Sequence, residues 1–241
     1  VDSFLAIGSL NKDYYVSLCV DPSKISLVPY TVDNGRFARD QSTWKNNRKN
    51  LLSQNGLDHR LPTILFCSKL AKRKNPILVI DAVKSLKDHD CNLIIAGSGP
   101  LQAELKAYVT ALGKTNIYFM GFVNQSELPS LYSAVDIFVL PSENEPWALV
   151  VNEVMAASLP VILGPEIGCV PDLVRHHENG IILEELTVSC LNLHFSTLLS
   201  QPQILQEMGK ESQKIISNWS YDNCLDGIRE GLQISGFKIK A

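Results

Sequence analysis

No two of the six cysteines stand close together. They fall singly at 19, 67, 91, 169, 190 and 224, several within apolar, strand-like runs. That spacing offers no disulfide framework and reads as small buried hydrophobes in a reducing compartment. The five histidines lack metal-ligand spacing, so no metal is expected. His176-His177, ahead of Glu178-Asn179-Gly180, reads instead as a helix C-terminus, where imidazole suits the dipole. Neither charge is in excess: a net charge of −3 argues against general nucleic-acid binding. No apolar run is long enough to span a bilayer and no signal-peptide pattern opens the chain. A cytoplasmic protein is expected, with peripheral contact to a membrane surface left open.

What is present is ordinary for a soluble globular protein. The 241 residues are 45% hydrophobic and 20% charged, enough for a substantial core in one large domain or a domain with an appendage. From Pro62 the pattern alternates. Strands are expected over Thr63–Cys67, Asn92–Ala96, Ile117–Met120 and Asp136–Leu140, and helices over Asn75–His89, Leu101–Gly113 and Ser126–Ala134, the last capped by Ser126. Such alternation predicts an α/β fold, a Rossmann-like parallel sheet flanked by helices, with ligands bound at the carboxyl ends of the strands where strand order reverses. Ahead of it, Ser3–Ile7 and Ile25–Val28 read as strands, with a helix capped by Asn11 between them. Residues 34–61, rich in Asn, Lys and Arg with an amphipathic piece at Trp44–Leu52, read as a solvated connection. After residue 186, three helices follow.

The stretch from Ser142 to Gly164 is the most informative. Glu145 precedes Pro146 and is biased toward extended backbone; the run from Ala148 to Ala157 is a helix too apolar to be exposed, broken only by Asn152 and Glu153. If both were helical, Glu145 and Glu153 would lie about 12 Å apart, too far for one acid/base dyad. The spacing suits a long ligand with hydroxyls at both ends and phosphate between them, the free N–H groups of the helix start facing the anion. The plainer alternative makes Glu145 a solvated loop charge and Glu153 a core residue with a backbone partner.

The loop Ser68-Lys69-Leu70-Ala71-Lys72-Arg73-Lys74-Asn75 places four basic side chains in six residues. Past a strand end, such cations suit a diphosphate; equally, they read as solvated lysines at a helix start. Ala96-Gly97-Ser98-Gly99-Pro100 reads as a turn, with Pro100 at a first helical position. Gly121-Phe122-Val123 reads as a glycine turn with two core residues or as a ligand edge. Cys169 has no recognisable histidine partner, and Asp172 reads as a helix N-terminal charge.

Glu145-Pro146-Trp147-Ala148-Leu149-Val150-Val151-Asn152-Glu153, followed by Leu159-Pro160-Val161-Ile162, resembles the signature of the retaining glycosyltransferases of family 4, whose GT-B architecture has two Rossmann-like halves. The resemblance extends to Ser68-Lys69-Leu70 and Lys74-Asn75, where the family carries Gly-Arg-Leu and Lys-Gly, to Gly97-Ser98-Gly99-Pro100, and to Gly121-Phe122-Val123. This chain departs from the family pattern at Ala148 for Gly, at Ala157-Ser158 for Cys-Gly, and at Lys69 for Arg, which gives up a bidentate fork.

The resemblance implies transfer of a sugar from a nucleotide-diphosphate donor, a UDP-sugar in preference to a GDP-sugar, to an unknown acceptor hydroxyl on a glycan, lipid or small molecule. No cofactor or metal is implied. Lys69 and Lys74 would neutralise the leaving diphosphate, and Glu145 would bond the donor sugar; these are the catalytic candidates. Ser68, Phe122, Val123, Trp147, Ala148, Leu149 and Val150 would line the donor site, with Glu153 on the ribose. It also implies that residues 1–33 close an N-terminal acceptor half mostly absent from this chain, that 34–61 connect the halves, and that 62–241 bind the donor and end in a helix that crosses back. The alternatives are a non-catalytic remnant, a donor-binding module that needs a second chain, and an epimerase or phosphorylase of the same architecture.

Overall fold

The computed structural model describes residues 1–38, 44–86 and 91–237. It begins with β1 (Phe4–Ala6), α1 (Ser9–Ser17) and β2 (Ile25–Leu27), the two strands paired in parallel from Phe4 opposite Ile25. Helix α1 starts two residues before the expected cap, because Asn11 uses its Oδ1 to accept from Ile7 N at 3.1 Å.

Two helices follow, α2 (Asn34–Phe37) and α3 (Trp44–Gln54). The expected connection is therefore no solvated strap. Phe37, Leu52 and Leu57 are buried in the main core. Arg48, expected on a solvated face, donates to the carbonyls of His59, Ala134 and Leu61 at 3.0, 2.7 and 2.6 Å and pairs with Asp136 at 2.9 Å. A guanidinium is buried at low cost only when its donors are spent this way. Residues 39–43 of that connection lie outside the described residues.

The main sheet contains β3 (Thr63–Cys67), β4 (Asn92–Ala96), β5 (Ile117–Gly121), β6 (Ile137–Leu140), β7 (Val161–Leu163) and β8 (Gly180–Ile182), all parallel in the order β5-β4-β3-β6-β7-β8. Ile64 to Phe66, Leu93 to Ala96 and Ile137 to Leu140 are buried without alternation, as parallel strands covered on both faces must be. The covering helices are α4 (Pro76–Lys84), α5 (Gln102–Leu112), α6 (Leu128–Ser133), α7 (Leu149–Ala156), the short α8 (Val170–Leu173), α9 (Val188–Leu199) and α10 (Pro202–Ile216). The expected extension of α4 to His89 runs into residues 87–90, outside the described residues. Ser126 caps nothing: α6 begins at Leu128 after Glu127, without a side-chain cap. His176 and His177 lie in the turn after α8 rather than at its end.

Helix α11 (Tyr221–Ile234) returns to the first strand pair. Gly227 lets it approach so closely that a Cβ there would strike the Leu27 carbonyl, and Ser26 Oγ donates to Gly227 O at 2.6 Å. Among the described residues no helix is long and apolar enough to cross a membrane.

Candidate donor site at the strand-order reversal

Numbered within the main sheet alone, the strand order is 3-2-1-4-5-6, and direction along the sheet reverses between β3 and β6. Two loops diverge there. One follows β3 and carries Ser68 to Asn75; the other follows β6 and carries Pro141 to Ala148.

The loops are stitched together. Glu143 N and Ser142 Oγ donate to Arg73 O at 2.8 and 3.2 Å, and Asn75 Nδ2 donates to Pro141 O at 3.0 Å. Glu145 Oε2 accepts from Lys74 Nζ and, at 2.7 Å, from Arg73 Nη1. Lys74 and Glu145 side chains are only 9% and 12% exposed, whereas Arg73 is half exposed. Burial pushes the Glu145 carboxyl up, and the Lys74 and Arg73 cations beside it outweigh that and hold it below its ordinary value. Arg73 stood in the basic loop of the sequence without being singled out; only the fold aims it at Glu145.

Beside this pair a cavity of about 440 Å³ opens at the carboxyl ends of β3, β4 and β5. Its lining comes from Ser68 and Lys69, from Gly97 to Gly99 and Phe122-Val123, and from Val150 with Glu153 of α7; Cys67, Leu128 and Tyr132 complete it. The glycine turn is what lets the walls meet. Gly97, at φ 124°, and Gly99 press on the backbone of Ser68 and Leu70, where a Cβ would collide, and Leu70 N bonds Ser98 O at 3.0 Å. The turn thus has its expected bend and is also part of the pocket wall. Phe122 is 74% exposed at the rim.

Glu153 is reached from inside. Tyr132, fully buried, donates its hydroxyl to Glu153 Oε2 at 2.6 Å. Burial pushes the Glu153 carboxyl above its ordinary value, opposed by the Tyr132 bond and the charge of Arg36. The partner is thus a side chain from α6 rather than the backbone group that the plainer reading supposed.

The candidates divide accordingly. Ser68, Lys69, Phe122, Val123, Val150 and Glu153 line the cavity; Lys74 and Glu145 form the adjoining pair. The Trp147 side chain is not among the lining. Its ring is 4% exposed and packs 5.2 Å from Trp219 and 6.2 Å from Tyr30, and its Nε1 donates to Asn152 Oδ1 at 3.0 Å while Asn152 Nδ2 donates to Tyr30 O at 2.9 Å. The ring joins α7 to the chain after β2 and does not wall the cavity. Ala148 and Leu149 do not line it either; they pack against the core at the entry to α7. Asp172 also does more than charge a helix start, since its carboxylate takes Ser9 N, at 2.9 Å, and Ser9 Oγ at the beginning of α1. Among the described residues no group of three or more His, Cys, Asp or Glu is arranged to hold a metal.

Fold and crevice together define a Rossmann-like α/β protein whose pocket lies where strand order reverses. The chain belongs to the glycosyl transferases group 1 family, whose sequence profile matches residues 47–215. It is 38% identical over 120 residues to an uncharacterized glycosyltransferase of Methanocaldococcus jannaschii, covering 49% of this chain and 30% of that protein. It is 25% identical over 227 residues to a GDP-mannose-dependent alpha-(1-6)-phosphatidylinositol monomannoside mannosyltransferase of Mycobacterium tuberculosis, covering 90% and 57%. Among solved structures, a glycosyltransferase of Rickettsia africae superimposes with a TM-score of 0.82 at 18% identity, covering 97% of this chain and 64% of that one. Anabaena HepE, solved in complex with UDP, gives 0.79 at 20%, covering 98% and 63%. The fold is the parallel α/β sheet that the alternation of elements predicts, and its structural neighbours are glycosyltransferases, consistent with the GT-B architecture that the resemblance implies. The chain spans 30% and 57% of the lengths of these two curated relatives.

Proposed function

We propose that this chain supplies the donor-binding part of a retaining glycosyltransferase that moves a sugar from a nucleoside diphosphate, UDP in preference to GDP, to an acceptor hydroxyl, without a required metal. The observation that carries the proposal is that Lys69 and Glu153 line one cavity at the strand-order reversal, where Lys74 and Glu145 pair across the two loops that meet there. That order of charges matches a nucleotide-sugar laid across the crevice: ribose hydroxyls at Glu153, diphosphate at Lys69 and Lys74, sugar hydroxyls at Glu145. A cation preset against the diphosphate stabilises the charge that builds on the leaving group. The first N–H groups of α7, from Leu149 and Val150, have no intrahelical partners and add to that field. Support for a nucleotide also comes from the Anabaena neighbour solved with UDP, while the mycobacterial relative uses GDP-mannose, so the base is the first thing to measure.

Titration calorimetry with UDP, GDP and ADP tests the reading. UDP should bind most tightly, and Lys69→Ala should weaken it by roughly tenfold or more, the value of a charge-assisted hydrogen bond. No binding of any of the three sinks the proposal. Binding without sugar transfer to any hydroxyl acceptor favours a donor-binding module that acts with a second chain, and a product formed without acceptor favours an epimerase.

A further inference from the structure

Tyr132 and Glu153, which both line the cavity, are joined by a hydrogen bond. Tyr132 has one hydroxyl proton, and its 2.6 Å contact to Glu153 Oε2 uses it. Cys67 lines the same cavity, and burial pushes its thiol up to about 12. Glu153 Oε2 is occupied from within the protein, which leaves Oε1 as the acceptor that Glu153 offers to the cavity it lines.

We propose that Tyr132 is a positioning residue for the donor nucleotide: it holds Glu153 as an ionised acceptor with one committed oxygen, and so makes the cavity select a nucleotide whose ribose hydroxyls can donate. This rests on the donor-site reading above. An ionised carboxylate can only accept, which suits the hydroxyl pair of a ribose; a protonated one would turn a donor toward it. Left to burial alone, Glu153 drifts toward the protonated form. The groups that oppose this are Tyr132 from α6 and, through space, Arg36 of α2. Lys69 lies in the same cavity. The remaining neighbours of α7, which are α10 and β7, bury Leu205, Met208, Ser212 and Val161; on α10, Glu207, Lys210 and Lys214 are exposed, and Glu211 pairs with Lys214.

The test compares UDP with 2′,3′-dideoxy-UDP by calorimetry from mildly acidic to neutral pH. For Tyr132→Phe, UDP affinity should fall about tenfold at neutral pH, the loss of one hydrogen bond to a charged group, while dideoxy-UDP affinity stays unchanged. Because the lost bond favoured the ionised carboxylate, the weakening of UDP on acidification should also begin at higher pH than in the wild type. Glu153→Gln, which keeps the Tyr132 hydroxyl but puts an uncharged amide in place of the carboxylate, should lose the preference for UDP over dideoxy-UDP and its pH dependence, and it serves if the first variant folds poorly. A preference for UDP over dideoxy-UDP and a pH profile that match the wild type in both variants overturn the inference while leaving the donor site intact. If the wild type binds no nucleotide, the donor-site reading fails and this inference fails with it.

Discussion

Lys74 and Glu145, 71 residues apart in the chain, are ion-paired across the point where the sheet reverses its strand order. The pair closes the two loops of the crevice on one another, and each partner is nearly buried. A buried charge whose partner is removed is costly.

Glu145→Gln should therefore lower unfolding stability at neutral pH by about 2 kcal/mol, allowing for the half-exposed Arg73 and the remaining amide acceptor. The pH dependence has a definite sign. The folded carboxyl titrates below its ordinary value of 4.5, so its contribution is present above that pH and is lost as pH falls through the folded value. Urea midpoints at neutral and acid pH should converge for wild type and variant as pH drops; a gap that persists at low pH rules this account out.

Trp147→Phe tests the reassignment of the indole. The smaller ring leaves Asn152 Oδ1 without its donor and opens space against Trp219, which should cost about 2–3 kcal/mol. Because the indole does not line the cavity, UDP affinity should stay near that of the wild type. A large loss of affinity with little loss of stability would return Trp147 to the donor site.

Gly97→Ala puts a Cβ into the Ser68 carbonyl oxygen at a backbone angle of φ 124° that L-residues avoid. Relief requires the loop carrying Ser68 and Lys69 to move. Thermal unfolding should show a loss on the order of 3 kcal/mol, and nucleotide binding should weaken with it. An unchanged melting temperature would mean that the turn is not packed as described.

Ala148→Gly and Ser158→Gly should each raise stability, by about 0.5–1 kcal/mol, because a left-handed L-residue costs more than the extra chain entropy of glycine. Ala148 has φ 74° at the start of α7 and Ser158 has φ 58° just past its end, where Leu159 N closes back on Val154 O at 3.0 Å. Chemical denaturation of the single variants measures this, and a destabilisation by both argues against left-handed backbone at these sites.

Those two positions also show how far the sequence could be read. The family pattern has glycine at 75, 148 and 158, and this chain has Asn75, Ala148 and Ser158, all three with positive φ. The departures are visible as letters. The structure shows that the glycine preference there concerns backbone angle at helix ends, a property no single sequence displays. The partners of the Arg48 and Trp147 side chains escape the sequence for a related reason. A basic residue in a polar stretch and an aromatic beside a motif look the same whether they face solvent, ligand or core; what decides is which distant carbonyls and rings arrive beside them.

By itself the sequence determined the alternation of strand and helix, the buried character of α7, the family, and the two loops that meet at the strand-order reversal. These are set by local periodicity and by motifs whose residues are neighbours in the chain, so no knowledge of long-range pairing is needed to read them. The tertiary structure alone decided that Arg73 joins Lys74 on Glu145, that Tyr132 rather than backbone holds Glu153, and that the Trp147 ring packs on Tyr30 and Trp219. Each of those depends on strand order, which brings together segments tens of residues apart, and on burial, which turns an ordinary hydroxyl or guanidinium into a group that must find a partner.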